Sequence, residues 1–203
     1  MTSSLDFVAI AIVAFLVGSI PFGYLIGRFF YSTDIRKAGS GNIGAMNALR
    51  TLGKGGAVAV LLLDAAKGFL PAFVILAATQ NPGQASLAAI AAVLGHCFSP
   101  WLGWKGGKGV ATSFGAMFAL SWKAGLVAVA GWLIAALATS YSSVGSMLGN
   151  ALSPFALFFF TRSVPLTIYG IFAALFIMYT HRENIGRLRE GTESGIGFLT
   201  RRR

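Results

Sequence analysis

Seven long runs of apolar residues, separated by short polar segments, follow one another along nearly the whole chain. A helix needs about 20 apolar residues to cross a bilayer, with a range of roughly 17 to 25. Only 11% of the 203 residues are charged, whereas a soluble domain usually carries about 25%. The pattern therefore predicts an all-α integral membrane protein with seven transmembrane helices. The runs cover roughly residues 7–31, 56–79, 85–98, 109–121, 124–139, 144–160 and 164–180.

The runs differ in length, and two or three of the predicted helices are short. Four runs are long enough to span a bilayer, 124–139 is borderline, and the short runs at 85–98 and 109–121 are also compatible with a re-entrant pair. The segment MTSSLD before the first run has no positive charge and no small-residue cleavage site follows, so a cleaved signal peptide is not expected. We expect residues 1–203 to form a single polytopic membrane domain.

The basic residues lie almost entirely on one side of the predicted membrane. Of the 16 Lys and Arg residues, only Lys67, Lys123 and Arg162 are not on that side. The positive-inside rule places it in the cytoplasm, and the N terminus outside. Topology and attraction to anionic lipid explain most of the net charge of +10, so a nucleic-acid partner is not expected. The cytoplasmic side comprises residues 28–54, 99–108, 140–143 and the tail from 181 to Arg201–Arg203.

The glycines of GSGNIGAMNALR, residues 39–50, have the spacing of a dinucleotide-binding turn. The context argues against such a site, because the preceding STDIRKA is charged rather than strand-like. Glycine amides before a helical turn are nevertheless suited to an anion, and Arg50 adds a guanidinium that binds phosphate. The alternative is a glycine-rich interfacial loop without a ligand. The candidate binding residues are Gly39, Ser40, Gly41, Asn42, Asn47 and Arg50.

A second glycine-rich segment, KGGKG at residues 105–109, precedes the apolar run VATSFG. It is not a Walker A loop, because Gly109 stands where that motif requires Ser or Thr. Two lysines beside glycines at the entrance of a helix predict an anion site at the depth of the lipid headgroups. The alternative is a snorkelling basic loop, and His96 is alternatively a structural residue. The candidate residues are His96, Lys105, Gly106, Gly107, Lys108, Gly109 and Thr112.

Hydroxyls and a histidine complete the polar residues of the inner side. Ser143 lies where it would cap a helix, and Ser146 lies among apolar neighbours. His181 and Asn184 are three residues apart, on one helical face where the last run ends. No aspartate follows His181 or the other histidine five residues later, so the HxxxxD motif of common glycerolipid acyltransferases is absent.

Two charged residues, Asp64 and Lys67, lie three positions apart inside the second run. This spacing predicts an ion pair, with either a structural or a functional role. The inner side lacks the acidic clusters that two-carboxylate hydrolysis and divalent-metal catalysis require. A single cysteine, Cys97, excludes an internal disulfide and a cysteine metal cluster. We therefore expect a reaction on phosphorylated substrates without a metal or a cofactor.

Four segments, in order along nearly the whole chain, resemble motifs of the bacterial acyl-phosphate-dependent glycerol-3-phosphate acyltransferases, the PlsY family. They are GSGNIGAMNALR, DAAKG, GHCFSPWLGWKGGKGVAT and HRENIGRL. The resemblance implies seven spans and transfer of a fatty acyl group from acyl phosphate to the 1-hydroxyl of glycerol 3-phosphate, giving lysophosphatidic acid and phosphate. Met46 departs from the pattern, since many relatives carry threonine there. By resemblance the active site is lined by Ser40, Arg50, Lys108, Ser146, His181 and Asn184.

This resemblance implies catalytic roles for Ser40, Lys108, His181 and Asn184. We expect Lys108 and the backbone of 106–109 to bind the acyl phosphate, and Arg50 with Ser40 to hold the phosphate of glycerol 3-phosphate. The general base is left open between His181 and a substrate phosphate oxygen. An acyl-enzyme on Ser40 is less favoured, because no histidine is adjacent in sequence.

Two other functions are compatible with the same cations. A membrane carrier for organic phosphate would use these cations without making a bond. The outer loops, however, are short and bring no group of polar residues together, and no inverted repeat is found. Acyl transfer from a thioester is disfavoured only by the missing HxxxxD motif. We expect a monomeric chain, surrounded by lipid in the inner membrane of a bacterium, with its active-site loops facing the cytoplasm.

Overall fold

The apolar runs fold into helices because backbone polar groups in lipid must find their partners within the protein. A computed structural model describes residues 4–197, and no strand occurs within that range. Short 3₁₀ turns cover Ile35–Lys37 and Pro100–Leu102. Arg201–Arg203, which contribute to the predicted inner charge, lie outside the described residues. The helices are α1 (Ser4–Gly18), α2 (Phe22–Phe30), α3 (Ala45–Thr51), α4 (Gly53–Thr79), α5 (Pro82–Cys97), α6 (Val110–Leu120), α7 (Trp122–Thr139), α8 (Ser142–Ala151), α9 (Ser153–Thr161), α10 (Val164–Thr180) and α11 (Arg182–Arg189).

The prediction of an all-helical membrane protein agrees with this architecture. Five segments of the described chain are long and apolar enough to cross a membrane, and α10 with α11, bent by 54°, would make a sixth. The 11 residues of α6 extend about 16 Å, roughly half of the 30 Å hydrocarbon core. Seven spans and the outside N terminus stay predictions. The five segments are Leu5–Phe30, Gly53–Thr79, Pro82–Leu102, Trp122–Thr139 and Ser142–Thr161.

The first apolar run, continuous in sequence, is broken between α1 and α2 at residues 19–21. Pro21 lacks the N–H that would continue the helix, and side chains from distant parts of the chain donate to the carbonyls of the break. Ser99 Oγ donates to the Ser19 carbonyl at 2.7 Å, and Lys67 Nζ donates to the Ile20 carbonyl at 2.7 Å. Irregular backbone at membrane depth is tolerated only where the protein supplies such partners.

Paired glycines bring two helix pairs into backbone contact. In the pair α1 and α5, a Cβ atom at Gly18 or at Gly95 would lie 2.1 Å from a carbonyl oxygen of the other helix. In the pair α4 and α6, the same holds at 2.0 Å for Gly68 and Gly115. Small residues permit this close packing in membranes. Because α5 and α6 flank the second glycine-rich segment, their packing positions it against the rest of the bundle.

Candidate active site

The first glycine loop, residues 39–44, is built around one amide side chain. Asn47 Oδ1 accepts the Ser40 N–H at 2.8 Å. Asn47 Nδ2 lies 2.8–3.1 Å from the carbonyls of Ile35, Ala38 and Asn42, to which it donates. With both amide hydrogens engaged and only 2% of the residue exposed, Asn47 holds the loop. This role differs from the substrate contact that the sequence predicts for it.

The glycines of this loop are required by its backbone and by Asn47. Gly39 and Gly41 have φ values of 59° and 72°, in the left-handed region that favours glycine. A Cβ atom at Gly39 would also lie 2.2 Å from Asn47 Oδ1. Asn42 Oδ1 accepts the Gly44 N–H at 2.8 Å, just before α3 begins. These contacts fix the loop, so most of its predicted binding residues serve its conformation.

Ser40 and Arg50 are the exposed polar residues of the same unit. Arg50 lies one turn beyond Asn47 on α3, and its Nη2 donates to the Ser194 carbonyl at 3.3 Å. Both side chains therefore stand at the surface that a soluble phosphate would reach. The loop presents them while Asn47 stays beneath it.

The second glycine loop, residues 103–109, pairs with the end of α5. The Gly106 N–H donates to the Cys97 carbonyl at 2.9 Å, and the Gly107 N–H donates to the His96 carbonyl at 3.0 Å. These two amides already donate inside the protein. Fewer backbone N–H groups of residues 106–109 are therefore available to a phosphate than the sequence predicts. The remaining candidates of this loop are the Lys108 side chain, the exposed Lys105 and the N-terminal turn at Gly109.

Lys108 connects the second glycine loop to the last helices. Its Nζ donates to Asn184 Oδ1 on α11, and Thr180 Oγ1 donates to the Lys108 carbonyl at 3.0 Å. Partial burial lowers the pKa of Lys108, and the Arg187 guanidinium lowers it further. The ammonium is thus held among other cations, where an incoming phosphate would relieve the repulsion.

His181 lies at the bend between α10 and α11, with its imidazole oriented by the backbone. Its Nδ1 is 2.8 Å from the Ile177 carbonyl oxygen. Because a carbonyl only accepts, Nδ1 carries the hydrogen and Nε2 is left as an acceptor in the neutral ring. His181 and Asn184, predicted to share one helical face, are both buried here.

A carboxylate that the sequence analysis did not single out, Glu193, lies in the same cluster. Asn184 Nδ2 donates to its Oε1 at 2.6 Å, and Arg187 Nε donates to its Oε2 at 2.7 Å. Burial alone would raise the pKa of Glu193, but the hydrogen bonds from Asn184 and Arg187 outweigh it and lower the pKa. The side chain is only 7% exposed. Glu193 is a single carboxylate rather than an acidic cluster, and its contact with Arg187 and Asn184 was not predicted from the sequence.

Glu193 belongs to a C-terminal strap, residues 191–196, that folds back over the site. Gly191, with a φ of 70°, reverses the chain after α11. Ile196 N–H then donates to the Ser140 carbonyl at 2.8 Å, and the Ser194 carbonyl accepts from Arg50. The sequence signal that could have predicted this strap is a glycine after the last helix, with a carboxylate two residues later. The strap joins α3, α11 and the start of α8.

The remaining predicted residues lie at or beneath this cluster. Ser143 faces Glu193, and Ser146, one turn further along α8, is buried and donates to the Ser142 carbonyl at 2.8 Å. Thr112 is fully buried, with its carbonyl oxygen against Gly68 of α4. His96 is 3% exposed, with Nδ1 of its ring toward Asp64 and Nε2 toward Gly107. The structure thus brings Ser143 into the cluster and places Thr112 and His96 behind it.

The cluster as a whole suits a phosphorylated ligand. Arg50, Lys108 and Arg187 bring three cations to one end of the bundle, beside the imidazole of His181. A backbone carbonyl holds Arg50, the Asn184 amide holds Lys108 and the Glu193 carboxylate holds Arg187 before any ligand arrives, which lowers the cost of ordering these side chains. Among residues 4–197, no group of three or more His, Cys, Asp or Glu side chains is placed to hold a metal ion.

The sequence profile of the glycerol-3-phosphate acyltransferase family matches residues 8–191 of this chain. A glycerol-3-phosphate acyltransferase of Rhodopseudomonas palustris (strain BisB5) is 44% identical over 192 residues, covering 94% of this chain and 96% of that protein. One of Dinoroseobacter shibae (strain DSM 16493 / NCIMB 14021 / DFL 12) is 46% identical over 195 residues, covering 95% of this chain and 94% of that protein.

Solved structures are similar over the same length. A crystal structure of PlsY (YgiH), an integral membrane glycerol 3-phosphate acyltransferase, in its glycerol 3-phosphate form superposes with a TM-score of 0.90. It is 37% identical and covers 96% of this chain and 97% of that one. The lysophosphatidic acid form of PlsY gives a TM-score of 0.88, also at 37% identity, and covers 95% of this chain and 96% of that one.

Proposed function

Because the chain belongs to the glycerol-3-phosphate acyltransferase family, we propose that it transfers a fatty acyl group from acyl phosphate to the sn-1 hydroxyl of glycerol 3-phosphate. The products are lysophosphatidic acid and inorganic phosphate, as in the first acylation of phospholipid synthesis. The observation that carries the proposal is the gathering of Lys108, Arg187 and Arg50 around His181 and Asn184. Two phosphorylated substrates need such a set of cations, and a proton acceptor lies beside it.

The proposed reaction makes one carbon–oxygen bond, breaks another and transfers one proton. The sn-1 oxygen of glycerol 3-phosphate attacks the carbonyl carbon of the acyl phosphate, and the bond from that carbon to the phosphate oxygen breaks. The bonding pair leaves with the phosphate, and the hydroxyl proton passes to His181 Nε2 or to a phosphate oxygen. Because a mixed anhydride is already activated, neither a covalent enzyme intermediate nor a metal is needed.

Each side chain of the cluster has a proposed role that follows from its charge and its position. Lys108 neutralises the charge that develops on the leaving phosphate, and Asn184 fixes its ammonium through Oδ1. Ser40 and Arg50 hold the phosphate of glycerol 3-phosphate from the exposed face of the first glycine loop. The Gly106 and Gly107 amides support the loop rather than bind the ligand, since both already donate to carbonyls of α5.

The proposed location follows from the substrates and the charge pattern. An acyl phosphate dissolves in the membrane and glycerol 3-phosphate in water, so the site must lie where the two phases meet. The basic loops favour the cytoplasmic face of the bacterial inner membrane. We propose a monomeric enzyme there, with all its active-site loops on that face.

The direct test uses the purified protein in detergent with palmitoyl phosphate and glycerol 3-phosphate. Equal amounts of phosphate and lysophosphatidic acid are expected, without inhibition by EDTA and without product when palmitoyl-CoA replaces the acyl phosphate. Phosphate without lipid would indicate a hydrolase instead. If neither product forms, uptake of glycerol 3-phosphate into proteoliposomes would identify a carrier, and the acyltransferase proposal would be abandoned.

A further inference from the structure

A buried ion pair that the proposed reaction does not use lies between the two glycine loops. Lys67 Nζ is 2.7 Å from Asp64 Oδ1, and the two side chains are 2% and 1% exposed. Both belong to α4, in a segment long and apolar enough to cross a membrane. Burying a charged group at such depth costs free energy. The contacts of Asp64 and Lys67 therefore indicate which parts of the protein they hold in place.

One end of this pair holds the break in the first apolar run. Lys67 Nζ donates to the Ile20 carbonyl and lies 5.6 Å from the centre of the Phe22 ring. The carbonyl end of α1 attracts a cation, and the ammonium thereby fixes where α2 begins. At Gly23, α2 packs against the first glycine loop so closely that a Cβ atom would lie 1.8 Å from the Ile43 carbonyl oxygen. Lys67 thus sets the helix on which that loop rests.

The other end of the pair reaches the second glycine loop through a histidine. His96 Nδ1 faces Asp64 Oδ1 at 3.6 Å. The opposite ring nitrogen, Nε2, lies against Gly107, where a Cβ atom would approach it to 2.1 Å. The His96 carbonyl also accepts the Gly107 N–H. Backbone and ring of His96 therefore contact the residue immediately before Lys108.

We propose that Asp64, Lys67 and His96 are positioning residues that hold both glycine loops in register, and so set the distance between Arg50 and Lys108. The inference rests on the acyl-transfer function proposed above, because that reaction requires two phosphates bound at a fixed separation. Misplacement of reacting groups by about 1 Å can cost 100-fold in rate. A buried ion pair that served stability alone would be replaceable by apolar residues of similar volume.

The two arms of this network give different kinetic signatures. Removing both charges together with Asp64→Leu and Lys67→Met leaves no unpaired buried charge but frees the Ile20 carbonyl and α2. We expect this double variant to raise the KM for glycerol 3-phosphate about tenfold, since the first glycine loop loses its support. His96→Leu instead releases the second loop, and we expect kcat to fall about 10- to 100-fold with little change in that KM.

Conservative and matched variants separate positioning from folding. His96→Asn keeps a polar side chain between Asp64 and Gly107 and should recover part of the kcat lost in His96→Leu. Gln84→Leu is the control, because Gln84 is equally buried at the other end of the same helix, α5. It should retain the kcat and KM of the original enzyme.

The deciding experiment combines these kinetics with hydrogen–deuterium exchange of the second glycine loop in detergent. We expect faster exchange of the Gly106 and Gly107 amides in His96→Leu, and unchanged exchange in Gln84→Leu. Folded variants with unaltered kinetics and exchange would overturn the inference, as would activity that simply follows the folded fraction. If the original protein makes no lysophosphatidic acid, the proposed function fails, whereas the exchange of the loop still decides whether His96 positions it.

Discussion

The two glycine loops look alike in sequence and are held in different ways. The first loop is organised by Asn47, whose partners lie within 12 positions along the chain. The second is held at one end by the carbonyls of α5. At its other end, Lys108 bonds to Asn184, 76 residues away in sequence. The hydrogen bonds that shape the first loop are thus local, whereas the placement of Lys108 in the second loop requires the assembled bundle.

Because of this difference, we expect the first loop to serve mainly substrate binding and the second loop mainly catalysis. The backbone of the first loop is held by nearby residues and presents Ser40 and Arg50 to a soluble phosphate, while α2 supports the loop at Ile43. Lys108, in contrast, is placed only when α5, α10 and α11 are packed together. Variants of the first loop should therefore act mainly on substrate binding and local stability, and variants of the second mainly on turnover.

The largest expected effect concerns Lys108. Lys108→Ala should lower kcat about 1,000-fold, because removing a single group that stabilises developing charge costs about 100- to 1,000-fold. Phosphate and lysophosphatidic acid release measure the rate, and size-exclusion chromatography in detergent checks the fold. Lys123→Ala, at the far end of the bundle, is the control and should behave as the original protein. Turnover of Lys108→Ala at the original rate would contradict the proposed site.

The next effect tests the imidazole beside Lys108. If His181 Nε2 accepts the proton, His181→Ala should lower kcat about 100-fold and remove one limb of the pH–rate profile. We expect that result, because the Nδ1 contact with Ile177 leaves Nε2 free to act as a base. A rate within a few-fold of the original and an unchanged pH profile would assign the proton to a substrate phosphate and leave His181 as a positioning group.

A smaller effect is expected in the first loop. Asn47→Leu should lower the free energy of unfolding by roughly 3 kcal/mol, because each buried polar group left without a partner costs about 1–3 kcal/mol. The KM for glycerol 3-phosphate should rise, while kcat falls less than in Lys108→Ala. Thermal unfolding in detergent and steady-state kinetics measure the two quantities. A kcat loss as large as that of Lys108→Ala would break the distinction between the loops.

The smallest effect concerns the strap that connects the two loop regions. Glu193→Gln keeps the shape but removes the charge that Arg187 binds, so we expect kcat to fall only about threefold. Because folding lowers the pKa of Glu193 below its ordinary 4.5, its stabilising contribution is complete above that value and is lost as pH falls through the lowered pKa. Unfolding temperatures between pH 3 and 7 should therefore depend less on pH in the variant than in the original protein. If the unfolding temperatures of both proteins change equally with pH, the Glu193 charge does not hold the strap.

Much of the fold was predictable, because helices and turns depend on nearby residues. The apolar runs correspond to the helices, and the glycines at 39 and 41 do occupy backbone conformations that favour glycine. The break at residues 19–21 was missed although Pro21 interrupts the run, because the sequence does not show that Lys67 and Ser99 donate to the carbonyls freed there. Asn47 and His96 were assigned to a ligand because residue type alone does not distinguish a buried amide or imidazole from an exposed one.

The sequence by itself determined that this chain lies in a membrane, where its basic loops cluster and which family it belongs to. Hydrophobic length, charge and motifs are properties of neighbouring residues and need no packing to be interpreted. Only the tertiary structure decided that two Gly amides are already occupied, that Glu193 returns to Arg187, and that Asp64 and Lys67 touch both loop supports. Those contacts join distant parts of the chain, and they form because buried polar groups must find partners inside the protein.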